Sequence, residues 1–355
     1  MITRESVLEQ LKKVIDPELH RDIVSLSMIK NLVVEGTNVA LTVELTTPAC
    51  PLKAQIEADV RGRLNELPGI GTINLNITGR VAANAQKNSI PGVKHVIAVG
   101  AGKGGVGKST VSANMAIALA RDGASVGLLD ADLYGPNIPT MLDVHEPKGV
   151  DGQKISPAEK FGMKILSIGF FLNPDEPVIW RGPMLHGAIK QFIQDVEWGE
   201  LDYLVVDLPP GTGDIQLSLS QMIPLSGAVI VATPQRVALE DAAKAIAMFR
   251  KVNVPILGVV ENMAYLKCPH CDDRIDLFGE GGAEKAAAQW GVRFLGKLPM
   301  DPRVRILGDT GSPIALTDDP MTDAFSLVAR NVAGEISTRF LSKPREISLD
   351  GLILK

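Results

Sequence analysis

Cysteine is scarce in this chain of 355 residues: there are three, too few and too unevenly spaced for a disulfide framework. Aromatic residues make up only 4% of the composition, so a core must be mainly aliphatic. Long apolar runs are also missing, since the best one, residues 228–232, is far shorter than the roughly 18 to 20 residues that cross a bilayer. These shortages exclude a disulfide scaffold and argue against a membrane-spanning helix.

An excess of basic charge is likewise absent. Lysine and arginine number 36 against 41 aspartates and glutamates, giving a net charge of −5, so we expect neither nucleic acid nor membrane as a partner. Hydrophobic residues at 45% exclude disorder as the main state, and the length suggests about two domains at roughly 150 residues each. The opening MITRESVLEQ lacks the basic end and apolar stretch of a signal peptide, so a cytoplasmic location is expected.

The first domain is predicted over residues 1–81 as a small α+β unit. Ser6 and Glu9 have capping-box spacing, which predicts an amphipathic helix from Ser6. The remaining elements are two strands joined by a turn, a helix and a third strand, predicted at 28–35, at 39–46, after Pro51 and at 73–77.

The second domain is predicted over residues 94–355, after a linker at 82–93 that combines small and polar residues with a Pro-Gly pair. Its near-continuous apolar strands alternate with helical stretches, which indicates an α/β fold with a doubly wound, mostly parallel sheet. These strands are predicted at 96–100, 125–130, 203–207, 227–233 and 255–262.

A glycine-rich loop follows the first of these strands and leads into a helical stretch. Its sequence GKGGVGKST fits the phosphate-loop pattern G-x-x-x-x-G-K-[ST], in which backbone N–H groups cradle a phosphate. Lys108 is predicted to neutralise the β- and γ-phosphates of ATP, and Ser109 to bind Mg²⁺. The candidate nucleotide-binding residues are Gly102, Lys103, Gly104, Gly105, Val106, Gly107, Lys108, Ser109 and Thr110.

The additional lysine, Lys103, makes this loop resemble the deviant phosphate loop of the nitrogenase iron protein, MinD and ParA class of ATPases. In that class this lysine acts across a dimer, so the resemblance implies that Lys103 is catalytic in the partner's site. The same resemblance implies that Asp132 orients or deprotonates the attacking water and that Asp130 supports the metal region. It further implies that Asn262 reads adenine, although a turn-forming asparagine is nearly as well supported.

Asp207 ends a hydrophobic strand, a position suited to holding a Mg²⁺-bound water. The glycines that follow it, Gly211 and Gly213, predict a mobile loop able to sense the γ-phosphate.

Cys268 and Cys271 form a C-x-x-C pair that places two thiolates on one turn. A tetrahedral zinc ion or an iron–sulfur cluster usually takes four protein ligands, so two subunits must contribute two each. A bridging iron–sulfur cluster is favoured, with zinc and a thiol–disulfide couple as alternatives, and His270 is interpreted as a spacer.

Seven segments together resemble the Mrp/ApbC-type P-loop iron–sulfur cluster carriers: GKGGVGKST, DADLYGPNIP, WRGPM, DLPPGTGD, ENMAYLKCPHC, DLFGEGGAEK and LPMDPRVR. The first 80 residues resemble the MIP18-type domain of iron–sulfur assembly factors. The resemblance implies an ATP-hydrolysing homodimer with a bridging cluster, taken here as 4Fe–4S, that serves apo iron–sulfur proteins and cluster assembly factors. Residues 180–184 match a family segment to which we assign no chemical role.

Cys50 precedes the second predicted helix of the first domain, where the helix dipole is expected to lower its thiol pKa. It is an accessory candidate for passing cluster ligands; a half-buried cysteine used as a small apolar residue is equally well supported.

Two other function classes fit the sequence less well than the carrier hypothesis does. A positioning ATPase of the MinD or ParA kind needs a membrane or DNA anchor, and the tail ISLDGLILK does not sort into apolar and basic helical faces. A reductase like the nitrogenase iron protein takes its cluster ligands from separated single cysteines, whereas here the two cysteines are adjacent.

Overall fold

The computed structural model describes residues 2–83, 90–151, 154–172, 187, 195–268, 270–271 and 273–341. The chain divides into two compact units, one holding the residues up to Ala82 with those from Gly334 onward, the other holding Ala83–Ala333. Residues 180–184 and the tail 347–355, both discussed above, lie outside the described residues. Within the described residues, no helix is both long and apolar enough to cross a membrane.

The smaller unit contains a three-stranded sheet in the order β3-β4-β5, with β3 antiparallel and β5 parallel to β4. Alternate residues of β4 are buried, as a half-covered sheet requires. Its elements are α1 (Arg4–Leu11), β1 (Ile15–Asp16), β2 (Arg21–Asp22), β3 (Ile29–Glu35), β4 (Asn38–Leu45), α2 (Lys53–Asn65) and β5 (Ile73–Gly79).

The predicted start of the first helix is wrong. The capping box joins Thr3 and Ser6 rather than Ser6 and Glu9, because the Thr3 side chain accepts from the Ser6 amide while the Ser6 hydroxyl accepts from the Thr3 amide. The other elements predicted for this unit are present.

The larger unit is built on a sheet that has nine strands within the described residues. The strands of this sheet are β6 (Val93–Gly100), β7 (Val126–Asp130), β10 (Ala158–Lys160), β11 (Met163–Ser167), β12 (Leu201–Asp207), β13 (Gly227–Ala232), β14 (Ile256–Lys267), β15 (Arg274–Ile275) and β16 (Phe294–Met300). Two further strands, β8 (Gly149–Asp151) and β9 (Lys154–Ser156), form a separate two-stranded ribbon. Its helices are α3 (Lys108–Arg121), α4 (Ile138–Leu142), α5 (Asp214–Met222), α6 (Arg236–Lys251), α7 (Gly282–Trp290), α8 (Pro302–Asp309) and α9 (Pro320–Leu341), the last continuing beyond Ala333.

The strand order is β10-β11-β7-β12-β6-β13-β14, with β15 and β16 both paired to β14. All strand pairings in this sheet are parallel except those of the short outer strands, β10 with β11 and β15 with β14. From β6 the chain runs outward on one side through β7 and β11, and on the other through β13 and β14. Because parallel crossovers are right-handed, this reversal winds helices onto both faces, and the prediction of a doubly wound, mostly parallel sheet is confirmed.

The central strands β6, β7, β12 and β13 are buried almost throughout, which explains their near-continuous apolar sequences. Strand ends in such a sheet meet along one edge, and ligands bind where the strand order reverses. In this chain that point is the end of β6, where the glycine-rich loop begins.

Candidate functional site

The glycine-rich loop occupies residues 101–107, between β6 and the first turn of α3. It lies at one end of an open cavity of about 1070 Å³, whose lining includes Lys103, Ser109, Asp132, Asn262 and Met300. The amide groups at the start of α3 have no partners within the helix and carry its positive dipole end, so this end of the cavity is suited to an anion.

Two glycines are required by close contacts around the loop. A Cβ on Gly102 would stand 2.1 Å from the carbonyl oxygen of Asp241 in α6. Gly107 has a φ of +83°, and a Cβ there would stand 2.2 Å from the side-chain nitrogen of Asn262. Only glycine fits at either position without displacing a neighbour.

Lys108 is buried within an acidic pocket at the strand ends. Its Nζ lies 2.8 Å from an oxygen of Asp207 and 3.4 Å from an oxygen of Asp132. Asp207, at the end of β12, is fully enclosed and accepts hydrogen bonds from the hydroxyls of Ser109 at 2.6 Å and Ser112 at 2.7 Å. The lysine and the serine predicted to bind phosphate and metal therefore converge on one carboxylate.

Asp130, at the end of β7, forms its contacts with other protein groups and does not line the cavity. It accepts hydrogen bonds from the backbone amides of Asp132 and Ile138 and from the hydroxyl of Ser167. Burial raises its pKa to about 8, and the neighbouring charge of Asp207 acts in the same direction. Asp130 thereby fixes the turn that carries Asp132.

Asp132 lies just beyond β7 and lines the cavity. One carboxylate oxygen faces Lys108, and the other accepts from the amides of Tyr134 and Gly135 at 3.3 Å each. Burial raises the pKa of Asp132 above its usual range, although Lys108 opposes the rise. A carboxylate with a raised pKa accepts a proton more readily than an exposed one does.

Lys103 is half-buried in the loop and also lines the cavity. Within the part of the chain that the structure describes, its ammonium group forms no hydrogen bond or ion pair. Gly104 and Gly105 beside it are exposed, and Val106 is buried. Thr110, in the first turn of α3, lines the cavity as well.

Asn262 lies within β14 rather than in a turn. Its side-chain amide donates to the backbone oxygen of Val106 at 2.8 Å, so it secures the glycine-rich loop. It also lines the cavity, next to Met263, whose φ is +54°. Beyond Met263, β14 continues to Lys267 after a register shift against β16.

The cysteine hairpin, which we define as residues 266–268, 270–271 and 273–275, comprises the end of β14, both cysteines, and β15. Cys268 is half-buried and Cys271 is exposed, and neither forms a disulfide. The amide of Cys268 donates to the carbonyl of Asp273 at 2.8 Å, which closes the turn. The side chain of His270 is exposed. Among the described residues, no group of three or more metal-ligating side chains is assembled.

Cys50 belongs to the smaller unit and is buried. The expectation of a lowered thiol pKa is wrong: burial raises the pKa of Cys50 to about 11, and the carboxylates of Glu18 and Asp16 add to the rise. The helix begins at Lys53 and has no side-chain cap, and burial outweighs any dipole effect of its first turn.

The nucleotide end of the cavity also fits a magnesium ion by the chemistry of its donors. The hydroxyl of Ser109 and the carboxylate of Asp207 are hard oxygen donors already in contact with each other, and Mg²⁺ prefers such ligands. These two residues would hold the ion or its water shell. A phosphate cradle, a buried lysine and this oxygen pair at the centre of a parallel sheet define a P-loop nucleotide-binding protein.

Comparison with known proteins refines this class. The model of the NUBPL iron-transfer P-loop NTPase family matches residues 92–333, and that of an iron–sulfur cluster assembly protein family matches residues 4–75. An iron–sulfur cluster carrier protein of Deinococcus radiodurans is 50% identical, over 96% of this chain and 97% of its own length. One from Synechocystis sp. is 47% identical, over 95% and 99%.

A nucleotide-binding protein from Archaeoglobus fulgidus, solved in complex with ADP, is 41% identical with a TM-score of 0.56, covering 62% of this chain and 88% of that one. The chain therefore belongs to the family of NUBPL iron-transfer P-loop NTPases, carrying an iron–sulfur assembly domain ahead of the nucleotide-binding one.

Three site residues were not foreseen in the sequence. Ser112, one helical turn after Lys108, binds Asp207, and Ser167, at the end of an unpredicted strand, binds Asp130. Glu261 is fully buried in the apolar run GVVEN. Glu261 could have been singled out in the sequence, because a charged residue inside an apolar run is unusual. No sequence pattern distinguishes Ser112 or Ser167 from other serines.

Proposed function

We propose that this protein is an ATP-hydrolysing carrier that binds an iron–sulfur cluster between two identical subunits and transfers it to apoproteins. One observation carries the proposal: the strand β14 holds Asn262 against the glycine-rich loop and runs directly into the cysteine hairpin. The proposed nucleotide site and the proposed cargo site are therefore connected by a single strand. Free thiols suit the reducing cytoplasm, where we place the protein.

In the nucleotide site, Lys108 exchanges its carboxylate partners for the β- and γ-phosphates of ATP. Ser109 and Asp207 hold Mg²⁺ or its water shell, and Mg²⁺ when bound adds positive charge to the same phosphates. Asp132 is placed at the cavity wall to orient the attacking water and accept its proton, helped by its raised pKa. Lys103 supplies charge to the partner's γ-phosphate when two subunits close.

The cluster is the cargo, and the cysteine hairpin is its proposed binding site. One chain offers Cys268 and Cys271, the latter exposed, so a hairpin from each subunit supplies the four thiolates that a 4Fe–4S cluster takes. The iron-transfer family and the cluster carrier relatives support this cargo over zinc or a thiol–disulfide couple. They support a carrier over a positioning ATPase for the same reason.

We also propose a division of the chain into a small assembly domain at 1–81, a linker at 82–93 and the ATPase domain at 94–355. The family matches at 4–75 and 92–333 support the division between the two domains, whereas residues 334–341 group with the smaller unit. Cys50, as an accessory residue, would need to leave its buried position before its thiol could act, because the folded unit favours the protonated form.

Anaerobic reconstitution with iron and sulfide tests the proposal. We expect about four iron and four sulfide per dimer, visible absorption of a cluster, and transfer to an apoprotein. Zinc bound without sulfide, or a dimer that forms no cluster, would overturn the carrier function.

A further inference from the structure

Glu261 is a fully buried carboxylate that the nucleotide chemistry does not use. It lies on β14 directly before Asn262, and one of its oxygens accepts a hydrogen bond from the backbone amide of Ala283 at 2.6 Å. The other oxygen has no hydrogen-bond partner among the described residues. A buried acid with a single short contact needs an explanation, because burying a carboxylate is costly.

The contact lies at the start of α7. The residue before this helix, Gly281, has a φ of +64° and provides no side-chain cap, so Glu261 supplies from β14 the acceptor that a capping residue would normally give. The carboxylate also complements the positive dipole end of the helix. Glu261 thereby fastens the strand to α7.

The cysteine hairpin is tied to the same two elements. The guanidinium of Arg274 lies 4.6 Å from the ring centre of Tyr265 on β14, and it pairs with Asp276 at 2.8 Å and with Glu280 at 3.1 Å. Glu280 immediately precedes Gly281, the residue before α7. Movement of the end of β14, where Tyr265 lies, relative to α7 would therefore change the position of the hairpin.

Neighbouring residues on a strand point to opposite faces of the sheet. Asn262 holds the carbonyl of Val106 in the glycine-rich loop, and Glu261 holds α7 on the other side. Between these two anchors and the cysteines lies Met263, with its left-handed backbone and the register shift that follows. Such a conformation is uncommon for a non-glycine residue and marks a point where the strand can turn.

We propose that Glu261 is a positioning residue that couples nucleotide binding to the state of the cysteine pair. Phosphate in the loop changes the contact between Val106 and Asn262. Because Glu261 holds the strand against α7, the strand turns at Met263 and moves the hairpin instead of sliding as a whole. This inference rests on the proposed function and concerns its regulation.

Cluster-free protein tests the coupling separately from cargo binding. The rates at which iodoacetamide alkylates Cys268 and Cys271 are measured by mass spectrometry, with and without saturating Mg-ADP or a non-hydrolysable Mg-ATP analogue. In the wild type we expect the nucleotide to change these rates by about fivefold or more, the lower range of typical allosteric coupling.

Three variants sharpen the test. Glu261→Met removes the acceptor and should reduce the nucleotide effect to less than about twofold while Mg-ADP still binds. Glu261→Gln keeps a carbonyl acceptor for Ala283 and should preserve the effect. Glu284→Gln is the matched control, since it removes a surface acid of α7 that pairs with Lys297, and it should behave as wild type. A purely structural Glu261 would change alkylation equally with and without nucleotide.

The same nucleotide effect in Glu261→Met as in the wild type would overturn the proposal, as would a wild type without any effect. If Glu261→Met does not fold, hydrogen exchange of the wild type decides: protection of residues 264–267, which lie beyond Met263 and include the pairing with β15, must change on Mg-ADP binding while that of residues 283–286 stays the same, and unchanged protection of 264–267 overturns the coupling. Iron and sulfide content, measured independently, reports on the carrier function alone.

Discussion

At the scale of single residues, Lys108 has an electrostatic task before any nucleotide binds. Its ammonium faces Asp207 and Asp132, and all three side chains are less than one-tenth exposed. Removing one partner of a buried pair leaves the remaining charge without compensation, which is more costly than the pair is favourable. Lys108 is therefore expected to contribute to folding, separately from the phosphate binding that we propose for it.

Replacing Lys108 with methionine should abolish ATP hydrolysis and also lower the free energy of unfolding by about 3 kcal/mol at neutral pH. The destabilisation should shrink at acidic pH, because protonation removes the uncompensated negative charge. Urea unfolding followed by tryptophan fluorescence measures it, since Trp198 and Trp290 belong to the larger unit. Lys103→Met is the control and should unfold like the wild type, whereas equal destabilisation by both variants would contradict the explanation.

The thiol of Cys50 gives a prediction at alkaline pH. Its pKa rises from an ordinary 9.0 to about 11 in the folded unit, so the folded state favours the protonated form. The corresponding stability is complete below pH 9 and is lost as the pH rises from 9 to 11, by about 3 kcal/mol in all. Hydrogen exchange in α2 should show this loss in the wild type and not in Cys50→Ala. Parallel pH profiles for the two proteins would count against the raised pKa.

Motifs allowed some of these residues to be predicted and not others. The loop and the C-x-x-C pair follow fixed spacings, so their positions could be predicted from the sequence alone. The environment of Cys50 could not, because the sequence shows a following helix but not how deeply the thiol lies beneath neighbouring side chains. The contact of Ser112 could not be predicted either, because its partner Asp207 is 95 residues away in the chain.

At the scale of elements, the cysteine hairpin extends from the edge of an independently packed sheet. The core beneath it is formed by buried aliphatic residues of β6, β12, β13 and α6, and neither Cys268 nor Cys271 takes part in it. The hairpin thus differs from small zinc domains, which unfold without their metal.

Cys268→Ala and Cys271→Ala should each lose the cluster and the ability to activate an apoprotein, because two thiolates per dimer cannot hold it. The unfolding midpoint should stay within about 2 °C of the wild type, and some ATP hydrolysis should persist. Iron and sulfide analysis with thermal unfolding measures both, and Cys50→Ala, which should keep the cluster, is the matched control. Full iron and sulfide in Cys268→Ala would place the bridging site elsewhere.

Apolar runs predicted the central strands well, since these are buried on both faces. The outer strands β11 and β16 were not predicted, because Lys164, Gly296 and Lys297 interrupt their apolar pattern. β14 was predicted to end at 262, yet it continues to Lys267, since pairing with β15 and β16 extends it past the irregular Met263. Long-range pairing of this kind has no local signal in the sequence.

At the scale of the whole molecule, the proposed dimer makes the two active sites depend on each other. Lys103 forms no ion pair within the described part of its own chain, while Asp132 faces Lys108 in the same chain. A twofold interface repeats any contact in both directions. A residue that acts across it can therefore be supplied by a different chain from the one that carries the base.

Mixing Lys103→Ala chains with Asp132→Asn chains should restore hydrolysis to about a quarter of the wild-type rate, since half the dimers are mixed and each has one intact site. Each variant alone should be inactive, with Asp132→Asn accumulating as an ATP-bound dimer by size-exclusion chromatography. If the mixture stays as inactive as its components although mixed dimers form, Lys103 acts within its own chain.

The close packing around Gly102 and Gly107 has a consequence for the kinetics of nucleotide exchange. With Asp241 against one end of the loop and Asn262 against the other, the cradle has its shape before a phosphate arrives. Its backbone entropy is lost when the chain folds and not when the ligand binds, so the loop does not have to become ordered during the encounter, and any change at the contact between Val106 and Asn262 follows binding. Substituting either glycine with alanine should therefore slow association itself, because each arriving nucleotide would have to wait for a loop that is rarely in shape.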